Sequence, residues 1–181
     1  MNNRHKVFVS YHHDNDQEYR ELFEGLFSDI HDIMVSKSVQ IGDIASNLKT
    51  ETIRQKIRDE YLRDSTVTVV LIGPETWKRK HVDWEIGASI RQTEYSPRSG
   101  LLGILLQTYP RPHGEPNNYF PNTIPPRLHD NIECDFAKIY NWVDDPNLVQ
   151  SWIHEAFDRR KTISPDNSYP SFVNNRSGER W

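Results

Sequence analysis

Two short and almost wholly apolar segments constrain the fold of this chain more than any other feature. They are Val67–Ile72, in which Thr68 is the one polar residue, and Leu101–Leu106. Strands that are apolar on both faces are typical of the centre of a parallel sheet that is covered by helices on both sides. Neither segment approaches the roughly 20 apolar residues that a membrane-spanning helix requires. We therefore predict a buried parallel sheet built around these two strands.

Helical and strand patterns alternate along the rest of the chain. The predicted strands are Lys6–Tyr11, Ile33–Val35, Val67–Ile72, Leu101–Leu106 and Ala137–Tyr140. The predicted helices are Asp16–Ser28, capped by Asp14 or Asp16, a helix that starts at Thr50, Val82–Gln92, and a helix that starts at Asp145-Pro146. This alternation predicts an α/β fold. A flavodoxin-like parallel five-stranded sheet of order 2-1-3-4-5, with right-handed crossovers, is the simplest arrangement.

A single domain accounts for the length of the chain. Its 181 residues fit one unit over 1–160, followed over 161–181 by a polar tail or an arm packed on the domain. Within the domain, the long loop 107–131 contains six prolines. Proline at this density excludes regular elements, apart from a turn of helix at Pro126–His129.

Composition narrows the classes of partner. The net charge is −4, and 27% of the residues are charged against 35% hydrophobic, so no overall field attracts nucleic acid or an anionic membrane. Cys134 is the only cysteine, which excludes a disulfide within the chain and favours a reducing compartment. The start of the sequence lacks the apolar stretch of a signal peptide. We expect a cytoplasmic protein that binds neither nucleic acid nor membrane. The sequence does not decide whether the protein self-associates.

The predicted strand order brings two polar segments together at the carboxyl edge of the sheet. In such folds, ligands bind at the switch point between strands 1 and 3. Ser10–Asp14 ends the first strand, and Gly73–Glu85 follows the third. The loop around Ile41–Asp43 should lie beside them. We therefore expect a ligand site where these segments meet.

Glu85 is the candidate carboxylate of this region. On a helical wheel it lies roughly 100° from the middle of the apolar stripe formed by Val82, Ile86 and Ile90, at the flank of the helix. There it could be partly buried and face a cleft, or it could be an ordinary first-turn glutamate that favours the helix dipole. Geometry alone favours the second interpretation.

The motifs on the two sides of the switch point resemble those of a known family. Val7–Asp14, an apolar strand that ends in Ser-Tyr and is followed by an acidic residue, is similar to the first-strand signature of TIR and TIR-like domains. Trp77–Ile86 resembles the segment that carries the glutamate of enzymatic TIR domains. Among bacterial TIR-like proteins, the chain resembles the TIR-like component (ThsB) of the Thoeris anti-phage defence system, from about Lys6 to the last helix.

This resemblance implies an enzyme that cleaves NAD⁺ between nicotinamide and ribose and makes a cyclic ADP-ribose-type signal. That signal would activate a separate, NAD⁺-depleting effector. The sequence does not decide whether a phage-derived trigger is required. NAD⁺ is then the substrate, and no cofactor or metal is implied. By resemblance Glu85 is the catalytic residue, and the substrate-binding candidates are Ser10, Tyr11, Asp14, Asp43 and Trp77.

The chain also departs from the family pattern. The Ser-x-x-Trp-Cys-x-x-Glu arrangement is absent, because a longer interval separates Trp77 from Glu85. The loop at Gly42 lacks the Arg-Asp-Pro-Gly-like sequence of animal receptors. These departures put receptor-type assembly in doubt more than the chemistry.

The chemistry explains how one carboxylate could suffice. Ordinary glycosidases need two carboxyl groups, because an alkoxide leaving group must be protonated. Nicotinamide leaves NAD⁺ as a neutral amine, so the enzyme needs only to hold the ribose and stabilise an oxocarbenium-like cation. Cyclisation then requires a nucleophile from the same molecule to be in place and water to be excluded. Tyr11 or Trp77 could stack on a base, or could belong to the core.

Other interpretations stay open. A non-catalytic TIR-like module that recruits a partner or senses a nucleotide, and a nucleoside 2-deoxyribosyltransferase-like enzyme, both fit the predicted fold. A metal site at His12-His13 is disfavoured against a solvated pair of loop residues, because adjacent side chains diverge and no third ligand is evident. A phosphoacceptor site fails, because the third strand ends in Gly73-Pro74 rather than in aspartate.

Overall fold

The computed structural model of this protein describes residues 4–29, 32–34 and 49–181. These residues form a five-stranded parallel sheet of order β2-β1-β3-β4-β5, as the sequence predicted. The strands are β1 Lys6–Ser10, β2 Asp32–Met34, β3 Val67–Ile72, β4 Gly100–Leu105 and β5 Ala137–Asn141. The α-helices are α1 Gln17–Phe27, α2 Thr50–Glu60, α3 Lys80–Ser89, α4 Pro126–Glu133 and α5 Pro146–Thr162. Four strands have five or six residues, and β2 is a three-residue edge strand.

The two apolar strands lie side by side at the centre. Every residue of β3 and β4 is buried. Val69 pairs with Val9 on one side and with Leu102 on the other, which makes β3 the middle strand of the sheet. Apolar side chains are therefore required on both faces of β3 and β4, as parallel sheets covered by helices demand.

The alternation of side chains along β1 determines which of them faces the site. Val7 and Val9 pack into a core cluster with α1 and α5 on one face of the sheet. Phe8 packs with residues of α2 and α3 on the opposite face. Ser10 lies on the same face as Phe8, because successive strand residues point to opposite sides. The hydroxyl of Ser10 therefore faces α3.

Helix α3 is buried on every side, whereas the wheel predicted a single apolar stripe. All residues from His81 to Ser89 are buried. The helix lies between the sheet and helices α2 and α4. The chain after α5 covers its remaining side: the indole nitrogen of Trp84 donates to the carbonyl of Phe172 at 2.9 Å. A helix enclosed in this way carries buried polar residues, and each needs a partner.

The proline-rich segment contains more helix than the sequence predicted. A 3-10 turn spans Pro121–Thr123, and α4 continues to Glu133 instead of ending after one turn. Pro126 occupies the first turn of α4, where a missing N–H costs no hydrogen bond. The predicted cap of the last helix is confirmed, since the side chain of Asp145 accepts from the N–H groups of Asn147 and Leu148.

After α5, the chain runs back over the domain in an extended form. We call residues 163–181 the C-terminal arm. Asn175 accepts the N–H of Lys80 at 2.9 Å, and the N–H of Arg176 donates to the carbonyl of Lys78 at 2.8 Å. The arm is thus anchored to the start of the helix that carries Glu85. Across the described ranges, none of the helices combines the length and the apolar character needed to traverse a lipid bilayer.

Candidate functional site

The site lies at the switch point between β1 and β3, at the carboxyl edge of the sheet. Ser10 is the last residue of β1, and Gly73 directly follows β3. Helix α3 crosses between parallel strands and so runs opposite to them, which places its N-terminal turns at this edge. Residues of α3 and of the loop between β1 and α1 therefore meet here, as the sequence predicted.

Glu85 is enclosed at the centre of this region. Its side chain is 0% exposed, which is more burial than its place at the flank of the wheel suggested. The Ser10 hydroxyl donates to its Oε2 at 2.5 Å, and its Oε1 has no hydrogen-bond partner among the described residues. Burial raises the pKa of Glu85 to about 8, although the hydrogen bond from Ser10 acts to lower it. At neutral pH the closed site therefore holds mostly a neutral glutamic acid.

His81 lies one helical turn before Glu85 and on the same face of α3, because residues four apart are neighbours on a helix. Its Nε2 lies 3.0 Å from the carbonyl oxygen of Tyr11. A carbonyl can only accept, so Nε2 carries the proton of the neutral ring. Burial lowers the pKa of His81 to about 4, and the hydrogen bond to Tyr11 only partly opposes this effect. His81 is therefore a neutral, fixed side chain at physiological pH.

His13 packs against the rings of His81 and Tyr11. The centroid distances are 4.3 Å to His81 and 4.6 Å to Tyr11. The Nε2 atom of His13 is buried without a hydrogen-bond partner in the described part of the chain. His12 is 5% exposed, and burial lowers the pKa of both histidines. The prediction of a solvated pair is wrong for His12, which is buried, whereas His13 is partly exposed and packs against His81 and Tyr11.

A second buried carboxyl connects the two sides of the switch point. Thr76 accepts the N–H of Gly73 at 2.8 Å, and its hydroxyl lies 3.4 Å from Oδ2 of Asp16. A Cβ atom on residue 73 would lie 2.5 Å from Oδ2 of Asp16, so any larger residue requires the Asp16 carboxyl to move. Burial raises the pKa of Asp16 to about 6. Asp16 occupies the N-cap position of α1, but its side chain makes no capping hydrogen bond.

The other candidates for substrate binding have different surroundings. The Tyr11 ring is buried, and its hydroxyl donates to Gln17 at 2.6 Å. Asp14 is exposed on the loop after β1. Trp77 is 2% exposed, so a base could stack on it only after neighbouring groups moved. Asp43 and the Ile41–Asp43 loop lie outside the described residues.

His13, His81 and Asp16 were not among the site residues predicted from the sequence. The spacing of four between His81 and Glu85 was a usable signal, because it places both side chains on one face of α3. Nothing in the sequence indicated that His13 contacts His81, because the two are far apart in the chain. Within the described segments, no three side chains of the metal-ligating types lie close enough together to share an ion.

Comparison with known proteins identifies the family. No curated protein matches the sequence. The family model of the TIR-like domain of Thoeris protein ThsB matches residues 8–110, which is more than half of the chain. The matched region contains Ser10, His81 and Glu85, and it runs from β1 to just beyond β4. The chain therefore belongs to the Thoeris ThsB TIR-like domain family.

Proposed function

We propose that this protein cleaves the bond between nicotinamide and ribose in NAD⁺, with Glu85 as the catalytic carboxylate. The single observation that carries the proposal is the state of Glu85. It is fully buried at the switch point, one oxygen accepts from Ser10, and the other has no partner among the described residues. A buried oxygen without a hydrogen-bond partner costs stability, so its presence in a folded protein calls for an explanation. Carboxyl groups with strongly perturbed pKa values cluster at functional sites.

The proposed reaction suits a site with one carboxylate. Nicotinamide departs as a neutral amine, and the positive charge passes to the ribose ring. Oε1 of Glu85, once ionised, accepts a hydrogen bond from a ribose hydroxyl and stabilises this charge. Ser10 holds the other oxygen and fixes the carboxyl plane. Burial of Glu85 strengthens this electrostatic interaction and disfavours attack by water.

Exclusion of water supports a cyclic product over simple hydrolysis. If water cannot reach the cation, a nucleophile of the bound molecule itself, from adenine or the second ribose, closes the ring. We propose that the product is a cyclic ADP-ribose-type signal. It acts on a separate effector of the defence system, and NAD⁺ is consumed as a substrate without any cofactor.

Product analysis tests this proposal. The protein is incubated with NAD⁺, alone and with lysate from phage-infected cells, and the products are separated by liquid chromatography and mass spectrometry. We expect free nicotinamide and a cyclised ADP-ribose in equal amounts. A parallel reaction contains nucleosides in place of NAD⁺. Release of free bases from these nucleosides, with NAD⁺ left intact in the first reaction, would identify a deoxyribosyltransferase-like enzyme instead.

The burial of Glu85 also favours a second candidate, a binding module without catalysis. A glutamic acid with a pKa of about 8 is neutral in the closed protein, and a neutral carboxyl is suited to hydrogen bonding. In that case, the protein binds a nucleotide or a partner and leaves NAD⁺ unchanged. Calorimetric binding of NAD⁺ with no nicotinamide released under any condition would favour this candidate.

A further inference from the structure

The first turn of the helix that carries Glu85 is capped from outside the helix. Helix α3 begins at Lys80, and within the described chain the side chain of Arg79, at the N-cap position, makes no capping hydrogen bond. The C-terminal arm supplies the cap: Oδ1 of Asn175 accepts the N–H of Lys80 at 2.9 Å, from 95 positions further along the sequence. Such a side-chain oxygen satisfies a backbone N–H that the helix itself leaves without a partner. The start of α3 therefore depends on the arm.

The arm bonds to α3 again just before Glu85. The N–H of Phe172 donates to Oδ2 of Asp83 at 3.0 Å, and the carbonyl of the same residue accepts from the indole of Trp84 at 2.9 Å. Both bonds use the backbone of Phe172, which is 5% exposed. One buried residue of the arm thus holds two consecutive residues of the helix.

A third contact lies just after Glu85. Nδ2 of Asn167 donates to the carbonyl of Gly87 at 3.0 Å, and Oδ1 of the same side chain accepts from Arg127 of α4 at 3.0 Å. One amide therefore joins α3 to α4. The bonds made by the arm thus come both before and after Glu85 in the helix.

The arm and the sheet hold α3 from opposite sides. Asp83 and Glu85 are two positions apart, which is about 200° around the helix axis, so their side chains point in nearly opposite directions. Asp83 is bonded to the arm, and Glu85 is bonded to Ser10 of β1. Loss of the bonds to the arm would free α3 to shift away from β1. Such a shift would separate Glu85 from Ser10 and admit water to a side chain that is 0% exposed.

We propose that the C-terminal arm positions the carboxyl of Glu85: the side chains of Asn175 and Asn167 hold α3 against the sheet, and thereby keep Glu85 bonded to Ser10 and shielded from water. Both asparagines act through the backbone of α3, so they are positioning residues and not catalytic ones. The arm lies beyond residues 8–110, which the family model matches. The positioning of Glu85 does not depend on the proposed function, whereas its effect on NAD⁺ cleavage rests on that function.

The titration of Glu85 tests the positioning. Protein with isotope-labelled glutamate side chains is titrated by NMR, and Glu85→Gln identifies the signal of this carboxyl. In Asn175→Ala, α3 loses its cap and Glu85 becomes more accessible to water. Because burial is the main cause of the raised pKa, we expect the pKa of Glu85 to fall from about 8 by about one pH unit or more, towards its ordinary value of 4.5.

Three further variants complete the test. Asn167→Ala removes an independent contact on α3 and should also lower the pKa of Glu85. Asn175→Asp retains an oxygen that accepts the N–H of Lys80, so it should keep this pKa near that of the wild type. Asn174→Ala, at the adjacent exposed residue, is the matched control and should leave the pKa unchanged.

The pKa of Glu85 distinguishes positioning from a general contribution to stability. A contact that only stabilises the fold would lower the thermal midpoint and leave the pKa of Glu85 in the folded protein unchanged. Asn175 is exposed, so its replacement leaves the core intact, and circular dichroism establishes that each variant is folded. An unchanged pKa in both Asn175→Ala and Asn167→Ala would overturn the proposal.

Nicotinamide release separates this inference from the proposed function, because the titration requires no turnover of NAD⁺. If the protein cleaves NAD⁺, the pH profile of kcat/KM for Asn175→Ala should move to lower pH and its maximum should fall about tenfold, since a displaced carboxyl stabilises the cation less well. Asn175→Asp should restore both. A lowered pKa in the alanine variants, without nicotinamide release by any of the proteins, would support the positioning and overturn the proposed function. Release by the wild type, with an unchanged pKa in the alanine variants, would do the reverse.

Discussion

Ser10 and Glu85 lie 75 positions apart in the sequence, and inside the protein the hydroxyl of Ser10 donates a 2.5 Å hydrogen bond to Oε2 of Glu85. The contact joins the end of β1 to α3 across the switch point. It leaves one carboxylate oxygen for a ligand and sets the orientation of the carboxyl group. The state of Glu85 therefore depends on a residue of another element.

Replacement of this serine should make Glu85 harder to ionise. In Ser10→Ala, burial raises the pKa of Glu85 above about 8, because the opposing hydrogen bond is lost. We expect the pH profile of kcat/KM to move to higher pH, with about tenfold less activity at neutral pH for each unit of the shift. The variant leaves a second carboxyl oxygen unpaired, which should also cost about 1–3 kcal/mol of stability. Ser89→Ala, at a buried serine bonded to its own helix, is the control and should leave the profile in place.

The raised pKa of Glu85 also predicts how stability depends on pH. Between its ordinary pKa of 4.5 and its folded value of about 8, the unfolded chain has lost this proton while the folded chain retains it. The unfolded state then binds fewer protons, so the contribution of Glu85 to stability is present at low pH and falls as the pH rises through this range. Glutamine cannot ionise, so Glu85→Gln should be more stable than the wild type at pH 8 by about 4 kcal/mol.

Urea denaturation at pH 5 and pH 8 measures this difference. The two proteins should approach each other in stability at pH 5, where both side chains are neutral. Equal stability at pH 8 would show that Glu85 ionises freely in the folded protein.

The contact between Gly73 and Asp16 predicts a steric effect. A methyl group at position 73 would lie 2.5 Å from a carboxylate oxygen of Asp16, whose side chain is buried and has little room to move. We expect Gly73→Ala to cost about 1–3 kcal/mol, as measured by the thermal or urea midpoint. Gly25→Ala is the control, because nothing lies within 4 Å of its new methyl group; it should stabilise α1 by about 0.5–1 kcal/mol. If Asp16→Ala does not restore stability to the Gly73→Ala protein, the clash is not with Asp16.

The ion pair of Asp83 and Arg127 should be essential for packing around α3. The Nε atom of Arg127 lies 3.0 Å from Oδ1 of Asp83, both side chains are buried, and Oδ2 accepts the N–H of Phe172 in the C-terminal arm. Arg127→Met leaves a carboxylate buried without its cation, so we expect a loss of about 3–5 kcal/mol in urea denaturation.

An exposed ion pair provides the comparison for this variant. Lys138 lies 3.9 Å from Glu155, and both side chains are more than half exposed. Lys138→Met should cost less than about 1 kcal/mol. Similar losses in the two variants would mean that the buried pair contributes no more than a surface pair.

Much of the fold was predictable from the sequence, because each strand of the centre is recognisable by itself. Val67–Ile72 was predicted as a strand and forms β3 with the same bounds. Alternation of strands and helices then determined the parallel order. The extent of α4 was not predictable, because the prolines before it obscure a helix that starts at Pro126. Element bounds are set by tertiary contacts as well as by local preference.

The candidate site was only partly predictable. The family motifs led to Glu85, whose position on the wheel allowed a catalytic role without favouring it, and strand alternation agrees with its contact to Ser10. The full burial of α3 was not predictable, because it depends on the packing of the C-terminal arm against this helix. The sequence predicted that segment only as a tail or an arm. The packing of the His13 ring against that of His81 is a tertiary contact between loop and helix, and no local pattern encodes it.

The catalytic role of Glu85 is tested by comparing nicotinamide release from NAD⁺ by the wild-type protein and by Glu85→Gln, measured by chromatography in the presence of infected-cell lysate. Glu75→Gln, at a half-exposed glutamate shortly before α3, is the control. Wild type and Glu75→Gln should release nicotinamide at similar rates, whereas Glu85→Gln should be slower by about 100-fold or more. Release by Glu85→Gln at the wild-type rate would contradict the assignment of Glu85 as the catalytic carboxylate.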